Sequence, residues 1–187
     1  MASCCSFVGD ASGMGLTAEA VAQKYKVSRE DQDEFSYGSH MKSLRAQEEG
    51  LFDEDIVPID VEQVFLNDDG KRSVKNYTVK SDEGPRRGTS IEALAKLKPV
   101  FANRGSVTAG NSSQMSDGAA FVLVMSEELV KELNLEPIAR MVSYTAVGVD
   151  PKIMGIGPVK AVPKAVEMAG LKLNDIELVE LNEAFAS

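Results

Sequence analysis

Apolar residues recur at helical spacing as far as Gly50, alternate with polar ones between Asp55 and Lys80, and gather into short unbroken runs toward the C-terminus. Each texture predicts a different element. "MGLTAEAVAQKYKV" reads as a short helix with Thr17 placed to cap it and Ala20, Val21 and Tyr25 along one face. In "SREDQDEFSYGSHMKSLRAQEEG", Ser28 and Asp31 have capping-box spacing, Phe35, Tyr37, Met41 and Leu44 continue a helical stripe, and Gly50 closes it. "DIVPIDVEQVFLN" and "RSVKNYTVK" flank Asp68, Asp69 and Gly70, which predicts a hairpin whose first strand Pro58 confines to an edge or bulged position.

Turn-forming residues then predominate from Asp82 to Ser113, around one short helical piece near "SIEALAKL". A loop-rich run of that length is more often functional than accidental. Beyond it, "AAFVLVMS", "IARMVSYTAVGV" and "IELVEL" read as buried strands, separated by helices at "EELVKEL" and "GPVKAVPKAVEMAG", the latter with Pro158 in its first turn and Gly170 past its end. Strand, helix, strand, helix, strand predicts an α/β layered arrangement. No internal repeat interrupts it.

Composition narrows the function. The 187 residues are 43% apolar, enough for a packed core in one good-sized domain or two small ones. A net charge of -9, from 20 basic and 29 acidic residues, disfavours binding to nucleic-acid phosphates or an anionic membrane surface. No run is long and apolar enough to span a bilayer and no secretory signal is visible, so a soluble, cytoplasmic protein is expected. Cys4 and Cys5 are adjacent, which is neither a disulfide framework nor a metal-ligand spacing, and no metal site is expected.

Few residues carry evident chemistry. Asn182 and Glu183 follow the strand-like "IELVEL" directly, at the edge where α/β sheets bind ligands; the plainer alternative is that Asn182 caps a helix over "NEAFAS". "TAGNSSQMSDGAA" offers small polar residues that let a ligand approach the backbone, as does many an ordinary loop. Arg86 and Arg87 suit a phosphate or an adenine ring, or equally an ion pair with Asp82 and Glu83. Met154 beside two glycines in "MGIGP" either lines a pocket or turns the chain into the next helix. His40, the only histidine, has no acidic or nucleophilic partner in sequence and reads as a surface or packing residue.

Taken in order, "MGLTAEAVA", "SREDQDEF", "DEGPR", "LAKLKPVF", "TAGNSSQMSDGAA", "GVDPKIMGIGP" and "ELNEAFAS" closely resemble the thiolase family of acetyl-CoA acyltransferases, without a large gap from Gly13 to Ser187. Residues 1–12, "MASCCSFVGDAS", do not look like the family segment expected there. The resemblance implies a layered αβαβα fold with two similar halves and a loop domain that holds coenzyme A. On that pattern residues 13–113 are the loop domain, 114–135 the last strand and helix of the first half, and 136–187 the start of the second. In the family a cysteine takes an acyl group from a 3-ketoacyl-CoA, releasing acetyl-CoA as in fatty-acid β-oxidation, and coenzyme A then accepts it. A histidine and a second cysteine act as bases, full-length members are homo-oligomers, and coenzyme A enters as substrate, with no further cofactor.

Carried over by motif, Asn182 is similar to the asparagine that holds a water in the oxyanion hole, a role worth about 2.7–4 kcal/mol in comparable sites. Phe185 would line the same pocket, Ser113 contact the pantetheine arm, Arg86 sit near the adenine and its phosphate, and Met14 and Met154 line the pocket. "CCSFVG" lacks the Ser-Gly that follows the family nucleophile, and no Gly-His-Pro or Cys-x-Gly segment occurs in the chain. The expectation is therefore an incomplete thiolase fold with a coenzyme A cradle and one oxyanion-hole residue, without nucleophile or base. A non-catalytic coenzyme A module and a fragment with no stable fold are the alternatives.

Overall fold

The computed structural model describes residues 13–187, so Cys4, Cys5 and the segment 1–12 lie outside the described residues. Helix α1 spans Met14–Tyr25 and starts at Gly13, not at Thr17 as the spacing predicted. Thr17 is buried inside the first turn, where its hydroxyl donates to the Gly13 carbonyl at 3.5 Å, an intrahelical bond open to any threonine. Ala18, Val21 and Ala22 form the buried face, while Tyr25 lies outside it.

Helix α2, Arg29–Glu48, has the predicted capping box: the Ser28 hydroxyl accepts from Asp31 N, and the Asp31 carboxylate accepts from Ser28 N at 3.1 Å. Gly50 ends the run with φ +70°, which glycine adopts without strain. The buried face differs from the apolar stripe read from sequence. It consists of Gln32, Asp33, Ser36 and Leu44, with Phe35 half-exposed. Most of these polar groups are bonded: Asp33 pairs with Arg29 at 2.7 Å, and Gln32 Nε2 donates to Ser106 Oγ at 3.0 Å, although the buried Gln32 Oε1 has no partner among the described residues.

Strands β1, Ile59–Leu66, and β2, Arg72–Val79, pair antiparallel with Ile59 opposite Val79 and Leu66 opposite Arg72. Asn67 Oδ1 accepts from Asp69 N and Lys71 N, and Gly70 supplies the positive φ of the turn. Helix α3, Ile91–Ala95, is capped by Ser90 and packs on α2, where Arg29 Nη2 reaches the carbonyls of Leu94 at 2.7 Å and Leu97 at 3.1 Å. The loop at 106–111 is held from two sides. Glu19 of α1 accepts from Ser106 N and Val107 N, and Asn111 accepts from Thr108 N. Val107 and Thr108 at its centre are fully buried.

Helices α4, Glu127–Glu132, and α5, Gly157–Met168, fall where predicted, α5 following a 3-10 turn over Pro151–Ile156 that packs on α1 through Ile153. The three segments read as buried strands do not form ladders. Residues 119–125, 138–149 and 176–181 have no strand partner among the described residues, and their apolar side chains stand open, Phe121 at 95% and Ile138 at 105% exposure. An apolar run signals burial between layers, whereas a ladder also needs a strand in register beside it, and among the described residues only β1 and β2 form a sheet. The end of the chain also differs from the helix that Asn182 was to cap: 182–187 is non-helical, Ser113 N donates to Ala184 O at 2.9 Å, and Ala186 N donates to Asn111 O at 3.0 Å.

Candidate functional site

The Ser112–Phe185 bridge brings the loop after Val107 against the last residues of the chain, and Phe185 meets Phe101 edge to face with centroids 6.1 Å apart. Two clefts flank this junction. The larger, about 900 Å³, runs between α3, the turn at 82–89 and the loop at 109–117, with Arg86 in its wall. The smaller, about 220 Å³, lies against α2 and is lined by Ser36, Ser39, Ser43, Ser113 and Glu183. Both are lined by His40, Gly84, Gly110, Ser112 and Gln114, so the two clefts adjoin along these residues as a groove of two parts. The backbone is closely approached at two of these positions: a Cβ on Gly84 would displace the end of the Gln114 side chain, and one on Gly110 the ends of Leu94 and Leu97.

The groove is polar at one end and charged at the other. Glu183 accepts from Ser39 Oγ at 2.7 Å. His40 Nδ1 accepts from Arg86 N at 3.4 Å, and partial burial, followed by the Arg86 charge, holds its imidazole below the ordinary pKa. Arg87 pairs with Glu48 of α2 rather than with Asp82 or Glu83, leaving Arg86 as the arginine of the larger cleft. Arg86 shares the larger cleft with Asp82, Glu83 and Asp117 and is the group there that can bond an anionic head, while the serine hydroxyls of the smaller cleft, beside Glu183, suit an uncharged polar arm.

Of the residues singled out in sequence, Arg86 and Ser113 line the joined clefts, and Phe185 backs them through Ser112. Asn182 is exposed just before this junction and lines neither cleft, while Met14 and Met154 lie on α1 and the 3-10 turn packed against it, away from the groove lining. Sequence reasoning missed His40 and the serines. The signal was a polar stripe at helical spacing, Ser36, Ser39, His40, Ser43 and Gln47, along one face of α2. Among the described residues no group of three or more His, Cys, Asp or Glu side chains could hold a metal ion, and no helix is long and apolar enough to cross a membrane.

Comparison with known proteins decides the family. Residues 4–128 match the thiolase N-terminal domain and residues 135–187 match the thiolase C-terminal domain. The chain belongs to the thiolase family. It is 50% identical over 174 residues to the 3-ketoacyl-CoA thiolase of Bacillus subtilis, covering 93% of this chain and 44% of that one. The Bacillus anthracis acetyl-CoA acetyltransferase superposes with TM-score 0.85 at 46% identity, over 94% of this thiolase chain and 42% of that one. Human mitochondrial 3-ketoacyl-CoA thiolase, solved in complex with CoA, superposes with TM-score 0.81 at 44% identity, over 92% and 40%. The backbone thus follows the thiolase path, and the chain spans about two fifths of the length of these relatives.

Proposed function

We propose that residues 13–187 form the coenzyme A cradle of a 3-ketoacyl-CoA thiolase, acting in transfer of an acyl group between a 3-ketoacyl-CoA and coenzyme A with release of acetyl-CoA. The observation that carries this reading is the pair of adjoining clefts that runs from Arg86 to Ser113 and Glu183. The CoA complex of the human relative, 44% identical over the same region, supports it. Arg86 takes the adenine nucleotide and its phosphates through charge-assisted hydrogen bonds, and the Ser112–Ser113 edge lies along the pantetheine arm. Asn182 then stands beyond the arm's far end, where a water held by its amide stabilises negative charge on the thioester oxygen. Phe185, clamped by Phe101, fixes the distance between that point and the arm. Met14 and Met154, outside the groove lining, are assigned to the acyl end by the motif alone. Residues 13–113 supply the loop domain, 114–135 the end of the first half and 136–187 the beginning of the second.

This polypeptide by itself should bind coenzyme A without thiolysing substrate. Its one histidine is engaged with the Arg86 turn, and Cys4 and Cys5 lack the sequence surroundings of the family nucleophile. Calorimetry with coenzyme A and loss of acetoacetyl-CoA absorbance test both halves of the statement. Binding that weakens about tenfold or more in Arg86→Ala and Ser113→Ala, with no turnover, is the expected result. Turnover above that of a chain substituted at Arg86, Asn182, Cys4 and Cys5 would contradict it.

A further inference from the structure

His40 occupies the point where the two clefts join, half-buried on α2. Its Nδ1 accepts the Arg86 N–H, so its own proton resides on Nε2. Two more α2 residues on the same face hold the same turn: Gln47 Nε2 donates to Asp82 O at 3.1 Å, and Glu48 pairs with Arg87. The segment from Asp82 to Arg87 contains no helix or strand, so these contacts with α2 give it much of its shape.

We propose that neutral His40 is a positioning residue that fixes the Arg86 turn in the form that binds the anionic end of coenzyme A, and that protonation of the ring releases it. The inference rests on reading the groove as the coenzyme A site. An imidazolium carries two N–H donors and no acceptor, so a protonated His40 would turn a donor toward the Arg86 N–H and bring a second positive charge near the guanidinium. The charged groups around it are Asp82, Glu83, Arg86 and Asp117 on the larger cleft and Glu183, held by Ser39, on the smaller. Burial, followed by the Arg86 charge, depresses its pKa, so the acceptor form is the resting one at neutral pH.

The test is coenzyme A calorimetry on the full 187-residue chain at about pH 5.5 and pH 8, on either side of the histidine range, comparing wild type, His40→Asn and His40→Ala. An asparagine oxygen accepts from Arg86 N without titrating. Wild type and His40→Asn should bind alike at the higher pH, and wild type should then lose about 3- to 10-fold more affinity on acidification than the Asn variant. The Asn variant thereby removes any titration of the ligand's phosphates from the comparison. His40→Ala should bind about 3- to 10-fold more weakly at the higher pH, with circular dichroism confirming intact helix content. If that variant misfolds, the Asn comparison carries the test alone. Identical pH profiles for wild type and His40→Asn, or wild-type affinity in a folded His40→Ala, would overturn the proposal. Nuclear magnetic resonance of the ligand-free chain separates the two readings. Absent coenzyme A binding at the higher pH overturns the cradle, whereas an Arg86 amide that ignores the His40 titration overturns the clamp and one that follows it supports it.

Discussion

Asn111, 2% exposed, joins three parts of the molecule with one side chain. Its Oδ1 accepts from Thr108 N at 2.7 Å and its Nδ2 donates to Asp33 Oδ1 at 3.1 Å and to Ser106 O at 3.0 Å, while its main-chain oxygen takes Ala186 N. Replacing it with leucine would leave a buried carboxylate oxygen and a buried N–H without this partner. The expected loss is about 2–4 kcal/mol, read as a lower denaturant midpoint at unchanged slope. His40 carries a pH dependence of its own. Its folded-state pKa is lowered from 6.5, so its contribution to stability is fully present above that value and is lost as pH falls through the folded-state value. Denaturant midpoints measured across that range should fall more for wild type than for His40→Asn. Neither role was legible in the sequence, because each depends on a partner far along the chain: Asn111 and Asp33 are 78 positions apart, His40 and Arg86 are 46. Arg86 and Ser113 were singled out because a motif carried them, and both line the clefts.

Local chemistry explains which elements the sequence disclosed. The Ser28–Asp31 capping box and the Gly70 turn need only residues within a few positions of one another, and both occur as their spacing implies. The buried face of α2 escaped notice because it is polar, bonded within the helix by Arg29 to Asp33 and from outside it by Ser106 to Gln32 and Asn111 to Asp33. Arg29→Ala should remove the link between α2 and the end of α3 together with the partner of buried Asp33, lowering stability by about 2–4 kcal/mol in the same unfolding experiment. Among the described residues no other element packs substantially on the β1–β2 hairpin, and Val64, Leu66 and Val74 remain exposed. A lone two-stranded ribbon is marginal in water, so its amides should exchange orders of magnitude faster than those in the middle of α2. Equal protection in the two elements would mean that the hairpin has a covering that its contacts do not show. At Gly15, an added Cβ would strike the Phe101 ring, which in turn clamps Phe185. Gly15→Val should therefore loosen the 182–187 segment from a distance, seen as faster exchange at Ser113 N and Ala186 N.

At the scale of the molecule, the strand-like segments raise the larger question. Their composition predicted burial between layers, and the backbone does follow the thiolase path, yet they find no ladder among the described residues. Composition reports what a segment requires, whereas pairing depends on which other segments lie beside it. The chain spans about two fifths of its relatives' length, and we propose that the remaining strands of the fold would cover these apolar surfaces. The chain in isolation should accordingly self-associate with rising concentration in sedimentation experiments, through exposed edges and apolar faces. A concentration-independent monomer would contradict that expectation. The central claim, that the Arg86–Ser113 groove holds coenzyme A, is tested most directly by hydrogen exchange with mass spectrometry at saturating coenzyme A. Slower exchange at 82–89 and 108–117, with the hairpin turn at 67–71 unchanged, is the predicted result; unchanged exchange along the groove, or slowing confined to the hairpin turn, would contradict it.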